Sequence, residues 1–108
     1  MSAHDDKAPE KSVPTSGLIV RDNRAASRFE LPVDGQVAFL EYRRGTHSII
    51  LKHTEVPESL RGRGIGAILA KAALEMARAE GLRVNVQCPF VKAYLEKHPA
   101  LAQQLKGN

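Results

Sequence analysis

The pattern of hydrophobic and polar positions changes its period about halfway along the chain. Residues 18–56 carry short alternating or β-branched apolar runs separated by polar and glycine-containing turns, as strands joined by hairpins do. Pro32 and Pro57 are expected to end the second and fourth of these strands, because proline has no N–H for a sheet ladder. We therefore predict an antiparallel meander of four strands, over residues 18–21, 28–31, 36–43 and 48–56.

The second half of the chain has helical periodicity. From Ile65 onward, apolar residues recur at steps of three and four, and Gly81 is suited to end this helix. A strand over residues 82–87 follows, then a helix that begins at Pro89, and a short terminal helix near residues 101–105. The strand–helix–strand crossover makes the fourth and fifth strands parallel if they are neighbours. The expected fold is α/β (α+β), with a mixed, mostly antiparallel sheet and helices packed on it.

Length and charge indicate one domain with a modest positive field. Residues 1–17 are polar and without periodicity, so we expect a disordered N-terminal tail, and we expect residues 18–108 to form a single domain. The net charge is +4; the tail has two lysines against three acidic residues, so it carries −1 and the domain +5. This field suits an anionic ligand. Nucleic acid is not expected as a partner, because basic clusters with interleaved aromatics are missing from the sequence.

The single cysteine, Cys88, excludes an internal disulfide. No group of cysteines and histidines has the spacing of a zinc site, so we expect no metal. The sequence also has no apolar run of the roughly 20 residues that span a bilayer, and no stretch that resembles a signal peptide. We therefore expect a cytoplasmic protein with no membrane partner.

A glycine-rich loop precedes the first predicted helix. Gly62, Gly64 and Gly66 have no side chains, so an anion can approach the backbone closely. The helix N-terminus adds unpaired N–H groups and a partial positive charge, and Arg61 and Arg63 add full charges. The loop predicts an anion site that a pyrophosphate would fit.

Spacing alone leaves several interpretations of this loop. It is not a Walker loop, because the Lys-Ser/Thr pair is missing. The string from Gly62 to Ala67 loosely matches a dinucleotide fingerprint, but Gly62 follows Val56 by six residues. The next strand also ends at Cys88 without the acidic residue that would hold a ribose. A glycine-rich turn that only lets the helix pack also stays open.

Four separated motifs resemble one family. The GNAT superfamily of acetyl-CoA-dependent N-acetyltransferases has a pyrophosphate loop of the form Gln/Arg-x-x-Gly-x-Gly/Ala, which Arg61, Gly64 and Gly66 match. Within that superfamily, the chain is similar to a short single-domain subgroup that shares further motifs with it. These motifs are His53-Thr54-Glu55-Val56-Pro57, Cys88-Pro89-Phe90-Val91 and His98-Pro99.

The resemblance implies that acetyl-CoA is bound between two splayed central parallel strands, which here correspond to residues 53–56 and 82–88. A backbone N–H near Val56 would polarise the thioester carbonyl. The implied binding residues lie on the first of these strands and in the loop. They are Thr54, Glu55, Val56, Arg61, Gly62, Arg63, Gly64, Ile65 and Gly66.

The resemblance also implies catalytic roles. His53 would be a general base and Cys88 a nucleophile or acetyl acceptor, placed as a pair on neighbouring strands. Tyr94 would protonate the leaving thiolate. Each residue also has a structural interpretation: His53 as a structural hydrogen-bonding residue of a strand, Cys88 as a small buried hydrophobe and Tyr94 as part of a helix core face. Direct transfer and transfer through an acetyl-cysteine both stay open.

The implied function is transfer of an acetyl group from acetyl-CoA to an unidentified amine acceptor. The alternative is a CoA or acyl-CoA-binding module with little or no catalysis, because the subgroup lacks the additional N-terminal helices that wall the acceptor site in full-length relatives. The small size and open sheet suit either a monomer or a homodimer.

Overall fold

A computed structural model describes residues 12–15 and 18–106. In these residues, six strands form one sheet in chain order: β1 (Ser12–Thr15), β2 (Leu18–Asn23), β3 (Arg28–Val33), β4 (Gln36–Arg44), β5 (Ser48–Glu55) and β6 (Arg83–Val86). The α-helices are α1 (Ile65–Ala79), α2 (Pro89–Glu96) and α3 (Pro99–Lys106), and a short 3-10 turn spans Glu58–Leu60. Strands β1 to β5 are antiparallel neighbours, and β5 and β6 are parallel. The predicted mixed sheet with one parallel pair is confirmed.

Strand β1 corrects the predicted tail. Residues 12–15 pair with β2, with Val13 opposite Val20, although they were expected to be disordered. The segment is short and contains Pro14, so its sequence has no recognisable strand period. Proline is tolerated here because β1 is the edge of the sheet. Residues 1–11 and 16–17 of the predicted tail lie outside the described residues.

Pro32 does not end the second predicted strand, contrary to our expectation. Strand β3 continues to Val33 and joins β4 through the two-residue turn Asp34-Gly35, in which both φ angles are positive (51° and 77°). The pair next to such a turn is Val33–Gln36, and the following pair, Pro32–Val37, is a non-hydrogen-bonded one. Position 32 therefore directs its nitrogen away from β4, to a side where β2 no longer pairs with β3.

One face of the sheet carries the core, and no helix among the described residues covers the other face, called the open face below. Helix α1 packs across the sheet and α2 packs beside it on β5 and β6. Alternate residues of β3 and β4 face these helices, which accounts for the alternating burial along both strands. The fully buried large side chains include Phe29, Leu31, Leu40, Ile49, Leu51, Leu60, Leu69, Leu74 and Val91. None of the helices in residues 18–106 is long and apolar enough to cross a membrane.

A β-bulge in β5 exchanges the faces of its last residues. Glu41 of β4 lies opposite His53, but Tyr42 lies opposite Leu51, so Lys52 is one residue too many for the ladder. Before the bulge, Leu51 points into the core. After it, Thr54 lies opposite the buried Leu40, on the core side, and His53 lies on the open face.

Strands β5 and β6 separate beyond Leu51. They pair only from Ser48 to Leu51, and the Leu51 carbonyl then accepts hydrogen bonds from the N–H groups of Gln87 and Cys88, at 2.9 and 3.1 Å. From there the chain after β6 turns into α2, while β5 continues to Glu55 beside β4. Within residues 12–15 and 18–106, the edge of β5 after the bulge therefore has no neighbouring strand on its β6 side, as expected for a splayed pair.

Candidate functional site

The glycine loop has the backbone shape of an anion cradle. Gly62 and Gly64 have φ angles of 81° and 75°, and no heavy atom lies within 4 Å of where a Cβ would stand at either position. Helix α1 begins right after Gly64, and the first helical hydrogen bond runs from the Ile68 N–H to the Gly64 carbonyl, at 3.1 Å. The N–H groups of the first turn therefore have no partner within the helix, at the positive end of a 15-residue helix.

The two loop arginines brace the loop. The Arg61 Nε–H donates a hydrogen bond to the Val56 carbonyl at 3.2 Å, which ties the loop to the end of β5. Arg63 pairs with Asp34 at 2.9 Å, and both side chains are largely exposed. An exposed pair of this kind is worth little, so Arg63 can exchange Asp34 for another anion at small cost.

A cavity of about 590 Å³ lies between the end of β5, the loop and the start of α2. It brings together most of the residues predicted to bind the ligand, which lie within residues 54–66, and adds Phe90 from the start of α2. Its lining comprises His53, Thr54, Glu55, Val56, Leu60, Arg61, Gly62, Gly64, Ile65, Gly66, Ala67 and Phe90. Its volume is in the range of small-molecule sites.

A second, cationic groove adjoins this cavity along α1 and α2. Its volume is about 740 Å³, and it shares Gly64, Ala67 and Phe90 with the first cavity. The groove is where the structure places Arg63, the one predicted loop residue that does not line the first cavity. The side chains of Lys71 and Lys97 also line it, and its lining contains no carboxylate. An elongated ligand with several negative charges would fit the two spaces together.

Phe90 is a site residue that sequence reasoning did not assign. Its side chain is 45% exposed and lines both spaces, and its ring rests against Gly66. A Cβ at Gly66 would lie 2.7 Å from Cζ of Phe90, so that glycine makes room for the ring. The sequence signal was an aromatic residue directly after the proline that begins α2.

Cys88 and His53 are not hydrogen bonded to each other. Cys88 is 2% exposed at the N-cap of α2, and its Sγ atom lies 3.3 Å from Oγ1 of Thr54. The His53 side chain is 57% exposed, and its Nε2 donates to the Glu55 carboxylate at 2.9 Å. The bulge causes this separation, because it brings Thr54 to the core side in place of His53. His53 lines the first cavity, whereas Cys88 does not.

Tyr94 lies in the cationic groove and outside the first cavity. Its ring stacks on His98, with centroids 4.1 Å apart, and the Tyr94 carbonyl accepts a hydrogen bond from Nδ1 of His98 at 2.8 Å. Burial, and secondarily the charge of Glu75, raise the pKa of the Tyr94 hydroxyl. The hydroxyl is thus protonated at neutral pH, but the structure does not place it with His53.

Together, the splayed parallel pair and the glycine loop at the start of the crossover helix define an acetyltransferase-like domain of the GNAT superfamily. A sequence profile of the GCN5-related N-acetyl-transferase family matches residues 28–105, and the chain belongs to this family. The predicted family resemblance is therefore confirmed.

The relatives of the chain include vertebrate proteins named Protein NATD1. The Bos taurus protein is 36% identical over 96 residues, which cover 85% of this chain and 81% of that protein. The Xenopus tropicalis protein is 34% identical over 90 residues, with 80% and 82% covered. The Homo sapiens protein is 36% identical over 84 residues, with 74% of each chain covered.

Proposed function

We propose that this protein is an N-acetyltransferase that uses acetyl-CoA as donor and an amine as acceptor. The observation that carries the proposal is the first cavity, because both the free edge of β5 and the glycine loop line it. Membership of the GCN5-related family supports the same reaction class.

The residues of the site fit coenzyme A. The open backbone at Gly62 and Gly64, together with the first turn of α1, suits a pyrophosphate. The first cavity is sized for an acylated pantetheine arm, and a backbone N–H near Val56 would polarise the thioester carbonyl there. The adjoining groove, with Lys71 and Lys97, suits the phosphorylated nucleoside end.

The structure favours direct transfer over a cysteine intermediate. Cys88 is buried and hydrogen bonded to Thr54, outside the lining of the cavity. His53 lines the cavity and is open to solvent on its other side, where an amine can arrive. We propose His53 as the general base that takes the proton of the attacking amine.

The second candidate function is an acyl-CoA-binding module without catalysis. The open face of the sheet favours it, because in residues 18–106 no helix covers His53 on the acceptor side. Both candidates predict CoA binding, so they differ only in acetyl transfer.

The test combines binding with turnover. We expect CoA to stabilise the protein, by roughly 2.7 kcal/mol at 100 times its dissociation constant. With acetyl-CoA and a panel of primary amines, we expect release of free CoA together with acetylated amine. CoA binding without release of free CoA across the amine panel would favour the acyl-CoA-binding module. The absence of a thermal shift with CoA would reject both candidate functions. His53→Ala is the matched variant, expected to bind CoA normally and to lose turnover.

A further inference from the structure

We propose that Glu55 is a positioning residue that holds the imidazole of His53 for proton abstraction from the acceptor amine. This inference rests on the proposed function and adds to it, since Glu55 was expected only to contact the donor. It is drawn from the bulge, the cavity lining and one hydrogen bond.

The bulge is the first of these observations. Because Lys52 is an extra residue, His53 and Glu55 both lie on the open face of the sheet, two positions apart on one strand. Side chains at this spacing lie next to each other. Nε2 of His53 and Oε1 of Glu55 are 2.9 Å apart, a normal length for a hydrogen bond to a carboxylate.

The pair stands at the place where transfer would occur. Both residues line the first cavity, and they follow the point at which β6 has left β5. The free edge of β5 and the open face of the sheet meet at this position. A donor in the cavity and an acceptor on the open face would therefore meet beside His53.

The hydrogen bond also selects the useful ring atom. A carboxylate can only accept, so Nε2 of His53 carries the proton. In the neutral ring Nδ1 is then unprotonated and has a lone pair for the amine proton. An exposed histidine without a partner would sample several rotamers, and few of them would aim Nδ1 at the substrate.

Other charged groups around His53 do not supply the same contact. Glu41 lies directly across from it on β4, with an exposed side chain and no hydrogen bond or ion pair among the described residues. The next cation along β3, Arg28, is engaged by Glu30 at 2.6 Å and lies over the ring of Phe39. Glu55 is thus the carboxylate that fixes the ring.

The proposed step balances in atoms and protons. The amine nitrogen forms a bond to the acetyl carbon while the bond from that carbon to sulfur breaks. The proton of the nitrogen passes to Nδ1 of His53 and then to water. The thiolate of CoA leaves and takes a proton from water, so acetyl-CoA and amine give acetamide and CoA.

The test measures both order and rate. In the full-length protein, three-bond couplings should report one χ1 rotamer for His53, and Glu55→Ala should average them. The same variant should lower kcat about tenfold, part of the 10²–10⁴ that a general base supplies, with the KM for acetyl-CoA and CoA binding unchanged. Glu55→Gln retains an acceptor oxygen and should recover the single rotamer and part of kcat. Glu96→Ala removes an exposed carboxylate on α2 and serves as the control.

The outcomes separate this inference from the proposed function. An active wild type whose kcat and His53 couplings are unchanged in Glu55→Ala overturns the positioning role alone. An increased KM for acetyl-CoA at constant kcat assigns Glu55 to donor binding and also overturns it. A wild-type protein that binds CoA but transfers no acetyl group rejects the proposed enzyme, and the catalytic role of Glu55 with it.

Discussion

Oγ1 of Thr54 lies 3.3 Å from Sγ of Cys88, across the point where the two parallel strands part. The contact joins the end of β5 to the N-cap residue of α2. The Cys88 thiol therefore has a structural hydrogen-bond partner on the core side of the sheet. Regular strand alternation would place the side chain of His53 beside this cysteine. The hydroxyl of Thr54 lies there instead.

This contact predicts that Cys88 is dispensable for chemistry. Cys88→Ser retains a hydrogen-bonding atom next to Thr54 and places a favoured N-cap residue at the start of α2. We expect its rate of CoA release to stay within about threefold of wild type, whereas His53→Ala should lose activity by roughly 10²–10⁴. Intact mass after incubation with acetyl-CoA provides the second check. A stable acetyl adduct in the wild type that disappears in Cys88→Ser, together with lost turnover, would establish the cysteine route instead.

The glycine loop allows a matched pair of substitutions. Gly64 and Gly81 have similar positive φ angles, 75° and 70°, and open space at the Cβ position, but only Gly64 belongs to the anion cradle. An alanine at either position should lower the free energy of unfolding by about 1–2 kcal/mol. Only Gly64→Ala should also weaken CoA binding, by about tenfold (~1.4 kcal/mol), because its methyl group would occupy the phosphate space. Urea unfolding and calorimetric titration measure the two effects, and equal CoA affinity in both variants would argue against the loop as the phosphate site.

Gly66 and Phe90 should be coupled in ligand binding. A methyl group at Gly66 would meet the far edge of the Phe90 ring, which is half-exposed and can turn aside. Gly66→Ala should therefore lower the free energy of unfolding by less than about 1 kcal/mol. The displaced ring would enter the mouth of the cavity and reduce CoA affinity. Removing it in the Gly66→Ala/Phe90→Ala double variant should restore part of that affinity.

A double-mutant cycle on the CoA dissociation constant measures this coupling. Ile19→Ala removes an exposed apolar side chain from β2, outside the lining of both spaces, and serves as the control. Additive effects of Gly66→Ala and Phe90→Ala would contradict the contact as the cause.

A buried pair far from the site should govern stability at high pH. The Tyr42 hydroxyl donates to Asp22, which is fully buried, at 2.5 Å. Burial first, and then the hydrogen bond and charge of Asp22, raise the pKa of Tyr42 well above its usual range. Its contribution is fully present below the unfolded-state value of about 10 and is lost as pH rises from there toward the folded-state value.

Tyr42→Phe should therefore lower the free energy of unfolding by about 1–3 kcal/mol at pH 7, because it leaves a buried carboxylate short of a donor. The difference from wild type should shrink above pH 10. Thermal unfolding of both proteins between pH 7 and 11 tests this, and the wild type minus variant difference removes the parallel contribution of Tyr94, whose pKa is also raised. A constant difference over the whole range would contradict the linkage.

The period of the sequence predicted the sheet and the helices, because alternation and helical repeats reflect which side of each element is buried. It could not predict the bulge. Leu51, His53 and Glu55 alternate regularly, so a regular strand would turn His53 toward the core, where Cys88 lies. One extra residue, Lys52, reverses this, and nothing in its chemistry marks it as unpaired. Phe90 was missed for a similar reason, since a helical period does not say which exposed ring stands at a cavity.

The open face of the sheet has a consequence for what the protein can select. A walled pocket chooses its substrate by size and rejects anything too bulky to enter. In the part of the chain that the structure describes, the ring of His53 stands at the surface, so a long flexible chain and the side chain of a folded macromolecule would have equal access to it. For the proposed acetyl transfer, discrimination between acceptors would then depend on the charges of Glu41 and Glu55 and on how far an amine projects from the molecule that carries it.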